Sequence, residues 1–168
     1  GSSIRGNLFN ASDVDWFWFD TEVSGELTVN FTAPTQSYDE WDLAVYLKKN
    51  GSMNLLHTKT LSGNGSFNVA LGEAGEHYVQ VYSAQSYDHT DVSYELGVSI
   101  TEGLEGVEVE PNDNTANSLP LGSSIRGNLF NASDVDWFWF DTEVSGELTV
   151  NFTAPTQSYD EWDLAVYL

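Results

Sequence analysis

The stretch that decides the fold is residues 1–47, which read GSSIRGNLFNASDVDWFWFDTEVSGELTVNFTAPTQSYDEWDLAVYL. The same letters recur without a change at residues 122–168, at an offset of 121 residues (122 − 1). A unit of this length matches a globular domain of about 100–150 residues and exceeds the ~20–50 residues of solenoid repeats. We therefore expect one full copy of a domain-sized repeat, followed by part of a second, identical copy.

Apolar residues alternate with polar ones inside this stretch and beyond it, as they do in half-buried antiparallel strands. The alternation is clear at residues 27–31 and 43–47, and residues 78–82 and 92–100 have the same β-rich composition. Turn residues such as Asn50-Gly51 separate the strands at intervals of about 8–15 residues. No sustained helical periodicity is present, so the pattern predicts an all-β fold, an antiparallel β-sandwich.

Four consecutive large aromatic residues, Trp16 to Phe19, form the densest apolar run of the repeat. In a strand, successive side chains point to opposite faces, so at least half of the run should be buried. We expect it to be the centre of the core. The alternative is an exposed platform for carbohydrate.

Charge and cysteine content restrict the cellular setting and the partners. The chain carries 26 acidic and 5 basic residues, a formal net charge of −21, and has no cysteine. Nucleic acid is therefore excluded as a partner. No apolar run reaches the ~18 residues of a membrane span, so we expect no membrane insertion. An extracellular or cell-surface domain without disulfides must be stabilised by a large core, a bound metal or assembly.

Glycosylation is a further possibility for such a protein, since the chain contains Asn-x-Ser/Thr sequences. Chance occurrence in a chain rich in these residues is an equal alternative. The sequences begin at Asn10, Asn30, Asn50, Asn64, Asn131 and Asn151.

The sequence does not contain the residues of a known catalytic site. The three histidines, His57, His77 and His89, have neither cysteine partners nor the HExxH spacing of a zinc site. Ser86, Asp88, His89 and Asp91 include the residue types of a hydrolase triad, but they lie on one short segment, where side chains rarely converge. We expect the chain not to be an enzyme.

Two groups of motifs occur in the chain, one in each copy. Those of the second copy are Glu110-Pro111-Asn112-Asp113, Ala116, Leu119, Ile125-x-Gly127 and Asp134-x-Asp136-Trp137-Phe138-x-Phe140. Those of the first copy are Leu43-x-Val45-Tyr46-Leu47, Gly75-Glu76-His77-Tyr78-Val79-Gln80-Val81 and Tyr94-Glu95-Leu96-x-Val98. Together they resemble the bacterial pre-peptidase C-terminal (PPC) domain family, whose opening motifs are matched in the second copy and whose later strands are matched in the first. The resemblance implies a jelly-roll-like sandwich that binds ligands, often with calcium, and does no chemistry.

The strongest chemical cluster in the sequence is acidic. Glu108, Glu110, Asn112 and Asp113 place four oxygen-bearing side chains within six residues. Calcium prefers such hard oxygen ligands and takes 6–8 of them. The alternative is a solvated acidic linker between domains.

The family resemblance implies which residues would complete a calcium site. These are aspartates of the Asp-x-Asp-Trp loop, either Asp134 and Asp136 or their copies Asp13 and Asp15. Under either alternative for the acidic segment, we expect it to lie at the joint between repeats.

Four aromatic residues near predicted loops are candidates for contact with an extracellular polymer. They are Tyr38, Trp41, Tyr82 and Tyr87. The resemblance implies that such side chains bind collagen or polysaccharide in related domains, but scattered surface aromatics are common without a ligand.

Two functions agree with these observations. The first, which identical copies favour, is a structural or adhesive repeat of an extracellular fibre, pilus-like filament or surface adhesin. The second is an accessory module of a secreted hydrolase that binds collagen or polysaccharide.

The family order of motifs divides the chain into three parts. Residues 1–101 are expected to be a repeat without its opening segment, residues 102–117 an acidic joint, and residues 118–168 the opening strands of the next repeat. We expect identical repeats or subunits as head-to-tail partners, with strands donated from one chain to the next.

Overall fold

The described residues form an all-β fold. The computed structural model of the chain describes residues 2–35, 40–83, 92–102, 106–114, 116–129, 131–155 and 161–168, and within them it contains no helix. Nothing in those ranges has the helical length and hydropathy that a membrane crossing needs. The strands are β1 (Ser2–Gly6), β2 (Val14–Thr21), β3 (Gly25–Thr32), β4 (Trp41–Lys49), β5 (Ser52–Leu61), β6 (Gly65–Leu71), β7 (Gly75–Ser83), β8 (Tyr94–Glu102), β9 (Asn117–Ser118) and β10 (Phe138–Trp139).

Strands β1 to β8 make two four-stranded antiparallel sheets. The first sheet has the order β1-β8-β3-β6 and the second the order β2-β7-β4-β5. Strands β4 and β5 are joined by a two-residue turn, in which Asn50 and Gly51 have φ values of 53° and 80°. Asn-Gly suits such a turn because both positions need positive φ.

The core lies between the two sheets. Leu27, Val29 and Phe31 of β3 are nearly fully buried, while Asn30 between them is exposed. Across the core, Trp41 packs at ring-centroid distances of 5.4 Å from Phe31 and 5.8 Å from Tyr94. The predicted all-β, antiparallel sandwich is confirmed.

The aromatic run of β2 is divided between the two faces of its sheet. Phe17 and Phe19 pack against the core, but Trp16 and Trp18 are 47% and 64% exposed. The expectation that at least half of the run is buried is therefore met by the two phenylalanines, while the two tryptophans lie on the outer face of the sheet. The reason is the two-residue period of the strand, which sends alternate side chains outward.

The prediction that Trp41 is a surface aromatic available to a ligand is wrong, because its side chain is fully buried. It is the first residue of β4 and lies on the inward side with Leu43 and Val45, so strand alternation decides its position. Tyr82 is half-buried at the end of β7. Tyr38 and Tyr87 lie outside the described residues.

The second copy repeats side-chain contacts of the first. Only two short strands, β9 and β10, occur in the described part of residues 106–168, and they pair in parallel. The division of the chain at residues 101 and 117 stays a prediction. Two aromatic pairs nevertheless have matching centroid distances in the two copies: Trp16–Tyr46 (5.3 Å) and Trp137–Tyr167 (5.4 Å), and Phe31–Trp41 (5.4 Å) and Phe152–Trp162 (5.4 Å).

Candidate metal centre

A short parallel ladder positions the first acidic residue, Glu108. The backbone N–H of Arg126 donates to the carbonyl of Gly106 at 2.6 Å, and the N–H of Glu108 donates to the carbonyl of Arg126 at 2.9 Å. The Glu108 carboxylate then lies against Gly127, where any Cβ atom would collide with it. A Cβ atom at this position would require the Glu108 side chain to shift, so the absence of a side chain at Gly127 leaves room for the carboxylate.

An asparagine closes the loop that carries the other ligand candidates. The Oδ1 atom of Asn117 accepts a hydrogen bond from the N–H of Val109 at 2.6 Å, and its Nδ2 atom donates to the Val109 carbonyl at 3.1 Å. The N–H of Asn117 also donates to the carbonyl of Trp137 at 2.8 Å. These contacts hold the Glu110–Asn112 segment beside the loop that precedes β10.

The loop that precedes β10 is a tight turn, which hydrogen bonds within the loop stabilise. The Oδ1 atom of Asn131 accepts hydrogen bonds from the N–H and Oγ of Ser133 at 2.7 and 2.6 Å, an Asx turn. Asp113 anchors the turn, since its Oδ1 atom accepts a hydrogen bond from the N–H of Val135 at 3.0 Å. The turn presents Asp134 and Asp136 to the acidic segment.

Three carboxylates meet where these segments converge. Glu108, Glu110 and Asp136 each place an oxygen within 4.8 Å of the others, and both glutamates are buried. Asn112 is fully buried between the glutamates: its N–H donates to Glu110 Oε2 at 2.7 Å and its Nδ2 to Glu108 Oε2 at 3.2 Å. Buried Asp134 stands beside them and adds its negative charge.

Several oxygens in this cluster are left without a hydrogen bond. Oε1 of Glu110, Oδ1 of Asn112 and Oδ1 of Asp136 are buried and have no hydrogen-bond partner among the described residues. A buried polar atom without a partner is destabilising, and a charged one more so. A cation among these oxygens would satisfy them and neutralise the carboxylates.

The surroundings disfavour the ionised forms of the clustered carboxyl groups. The pKa of Glu110 is raised from an ordinary 4.5 to about 7: burial raises it most, the negative charges of Asp134, Asp136 and Asp113 also raise it, and the N–H of Asn112 lowers it. Burial, followed by the neighbouring carboxylates, also raises the pKa values of Glu108 and Asp136. The centre is therefore an oxygen-rich site in which a cation and protons compete.

The structure separates the eight predicted ligands into three groups. Glu108, Glu110, Asn112 and Asp136 form the cluster, with Asp134 beside it; Asp113 is part of the scaffold. The copies Asp13 and Asp15 have other contacts: Asp13 Oδ2 accepts from the N–H of Phe9 at 3.0 Å, and Asp15 Oδ2 accepts from the hydroxyl of Tyr94 at 2.6 Å.

Three residues that shape the centre were not identified as site residues from sequence. They are Gly127, Asn117 and Asn128, whose N–H donates to Glu108 Oε1 at 2.5 Å. Gly127 belongs to the Ile125-x-Gly127 motif, which was a usable signal. The two asparagines act through backbone contacts that the sequence alone does not reveal.

The residues considered for catalysis do not form a site in the described structure. Burial lowers the pKa of His57 to about 4 and also lowers that of His77, so both rings are neutral near pH 7. His77 stacks on Phe19 at 5.6 Å within the sandwich. Ser86, Asp88, His89 and Asp91 lie outside the described residues.

A second feature is the outer surface of the β2-β7-β4-β5 sheet, which we call the aromatic face and define by Trp16, Trp18, Tyr46, Tyr78 and Gln80. The Trp16 ring lies 5.3 Å from Tyr46 and 6.3 Å from Tyr78. The Tyr46 hydroxyl donates to Gln80 Oε1 at 3.0 Å. The face thus combines exposed rings with hydrogen-bonding groups.

Comparison with known proteins shows similarity to a curated protein and to solved structures. No protein-family model matches the chain. Collagenase ColT of Clostridium tetani is 26% identical over 160 residues, which are 89% of this chain and 16% of that protein. The pre-peptidase C-terminal domain of a collagenase from Bacillus anthracis is 20% identical and covers 58% of this chain and 88% of its own, with a TM-score of 0.44.

The chain resembles the pre-peptidase C-terminal domain. The resemblance inferred from the motifs is thus confirmed. Aeromonas hydrophila PliG, a periplasmic inhibitor of g-type lysozyme, is 19% identical and covers 60% of this chain and 85% of its own, with a TM-score of 0.45. The PPC-like chain spans only about 16% of the curated collagenase that it matches.

Proposed function

We propose that the chain is a calcium-stabilised, non-catalytic accessory module of an extracellular protease. The observation that carries this proposal is the buried oxygen cluster of Glu108, Glu110, Asn112 and Asp136, with its unpartnered oxygens. The match to a clostridial collagenase along most of the chain supports the protease context and an extracellular location. The structural or adhesive repeat of a fibre stays a prediction with less support.

Calcium fits the donor set better than other common metals. All the donors are carboxylate or amide oxygens, and no histidine or cysteine contributes among the described residues, which disfavours zinc. Five side chains, from Glu108, Glu110, Asn112, Asp134 and Asp136, provide enough oxygens for the 6–8 ligands that calcium takes. The bound ion supplies positive charge, while Asn112 and Asn128 hold the Glu108 carboxylate in place.

Identical loops in the two copies provide a matched test of this site. Asp136→Asn should weaken calcium binding at least about tenfold, because it removes one charge from the cluster. Asp15→Asn, the same change in the first copy, should leave the affinity at the Glu108 site unchanged, although it removes the acceptor of the Tyr94 hydroxyl. Calorimetric titration of both variants with calcium measures the difference. Equal affinities in the two variants would count against the assigned cluster.

We further propose that the aromatic face binds the polymeric substrate of the protease. The observation that favours this role is the exposure of two adjacent tryptophans, Trp16 and Trp18, on a sheet surface with hydrogen-bonding groups. Tryptophan is a frequent main contributor to binding energy at interfaces. Because the curated relative is a collagenase, we propose collagen as the polymer; polysaccharide is the competing possibility.

Replacing the exposed tryptophans should weaken this binding. Trp16→Ala combined with Trp18→Ala, together with the same changes at Trp137 and Trp139, should reduce retention on insoluble collagen by about tenfold or more. Ser66→Ala, on the outer face of the other sheet, is the control and should bind like the parent chain. Co-sedimentation with collagen fibres, and with cellulose and chitin in parallel, distinguishes the polymers. Undiminished collagen binding by the fourfold variant would refute the role of the aromatic face.

A further inference from the structure

We propose that the open edge of strand β2 and the cavity beside its end bind residues 117–121 of a second copy of this chain. The bound segment adds to β2 as a parallel strand. This inference goes beyond the proposed function and does not depend on the metal centre, because it concerns the pairing of two chains.

Strand β2 is the edge strand of its sheet. Its neighbour on one side is β7, and no strand pairs with its other side among the described residues. Such an edge presents backbone groups to which an extended segment of another chain can add. The backbone of β2 is therefore available as one half of an interface.

The second copy shows which segment fits this edge. Strand β10 has the same sequence as the centre of β2, and β9 pairs with it in parallel. The N–H groups of Asn117 and Leu119 donate to the carbonyls of Trp137 and Trp139, at 2.8 Å each. The same two carbonyls exist in β2, so the segment can add there in the same register.

This register turns the leucines of the segment toward the core. Continued from the β9–β10 pairs, it sets Leu119 beside Phe19 and Leu121 beside Thr21. Phe19 packs against the core and Thr21 is buried, so both leucines face inward. Pro120 lies between them, and its missing N–H is on the outer side of the added strand, where no partner is needed.

A cavity lies where the leucines arrive. It has a volume of about 300 Å³ and is bounded by the end of β2 and by apolar residues that include Leu27, Val98 and Ile100. In the second copy, by contrast, Leu121 is 57% exposed. The segment therefore buries more apolar surface on the first sandwich of another chain than beside its own β10, and this difference favours exchange between chains.

Cross-linking of two single-cysteine chains tests the pairing, since the chain has no cysteine of its own. Asp20→Cys in one chain and Pro120→Cys in the other face each other in the proposed register. In the control mixture, Asp141→Cys, at the same position of the second copy, replaces Asp20→Cys; both aspartates are exposed. With chelator present throughout, mixed disulfide-linked dimers should exceed those of the control mixture by at least about fivefold.

A synthetic peptide with the sequence of residues 116–124 tests the docking surface on the unmodified chain, which keeps the test decisive if a cysteine variant fails to fold. N-methylation of Leu119 removes the N–H that donates to β2 and should weaken binding at least about tenfold. N-methylation of Ser118, whose N–H points away from β2, is the matched control and should change the affinity by no more than about twofold. Fluorescence anisotropy of the labelled peptide measures both.

A charge on the inward side of the segment should prevent docking. Leu121→Asp in the Pro120→Cys chain should abolish the excess of mixed dimers, because a carboxylate is disfavoured in the apolar cavity. Val144→Asp, at another exposed apolar position of the second copy, is the control and should keep the excess.

The outcomes distinguish the surface from its occupant. Equal cross-linking in the two mixtures together with equal binding of the two methylated peptides would overturn the inference. Peptide binding in the expected pattern without an excess of mixed dimers would refute a second copy of this chain as the occupant.

Discussion

Calcium is expected to raise the midpoint of thermal unfolding by about 5–10 °C relative to a chelated sample. Binding to the folded state alone adds about 2.7 kcal/mol to the free energy of unfolding when free calcium is a hundredfold above its dissociation constant. The structural reason is the cluster of buried carboxylates around Asn112, in which Oε1 of Glu110 and Oδ1 of Asp136 have no hydrogen-bond partner among the described residues. Calorimetric melts in calcium and in chelator measure the shift.

The size of this stabilisation should increase with pH. The pKa of Glu110 is about 7 in the folded chain against an ordinary 4.5, so the folded state retains a proton that the unfolded chain has released. The free energy of unfolding without calcium should therefore fall as pH rises from about 4.5 to about 7. The raised pKa of Glu108 extends the fall beyond that range, and the charges of Asp113 and Asp134 face the same groups.

Calcium removes the need for these protons, so the difference between the two melts should be small at pH 5 and large at pH 8. Equal ionic strength in both samples controls for general screening of the −21 net charge. Asp136→Asn should lose most of the calcium effect, and Asp15→Asn should keep it. Identical melts with and without calcium at pH 8 would support the linker interpretation of the acidic segment.

The second large effect is expected in the core, at Trp41. Trp41→Ala should lower the free energy of unfolding by about 3–5 kcal/mol, as truncation of a large buried aromatic residue commonly does. Trp41 is fully buried and packs against Phe31 and Tyr94, so its removal leaves a cavity between the sheets. Denaturant unfolding followed by circular dichroism measures the loss.

The identical residue of the second copy is the control for this substitution. Trp162 is only half-buried and contacts Phe152 at 5.4 Å, so Trp162→Ala should have a much smaller effect on unfolding of the first sandwich. Equal losses from the two substitutions would mean that the core does not lie where the structure places it.

The fold could be predicted from sequence because strand alternation is a local property. The series at residues 27–31 identified β3 and its buried face correctly, and Asn50-Gly51 marked the hairpin between β4 and β5. The aromatic residues were harder to place. The run from Trp16 to Phe19 indicated a strand with one face in the core but not which face, and Trp41 was expected near the surface, since hydrophobicity alone does not reveal which face of a strand is inward.

The types of residue in the candidate site could be predicted from the sequence, but the distant segments that come together to form it could not. The density of oxygens at residues 108–113 indicated a cation site, and the structure brings Glu108, Glu110 and Asn112 together with Asp136. The sequence could not choose between Asp136 and its copy Asp15, because the two loops are identical. The choice depends on contacts between distant segments, and the same holds for Asn128, whose partner Ala70 is 58 residues away.

The contact between Asn128 and Ala70 also bears on solubility. Strand β6 is the last strand of its sheet, and such an edge offers unpaired backbone groups on which another chain can pair and aggregate. The Asn128 side chain occupies one of these groups, and the Glu108 backbone covers Gly72 immediately after the strand. The segment that follows the sandwich therefore covers part of this edge and hinders the pairing of another chain with β6. This matters in a chain that has no disulfide to restrain a partly opened state.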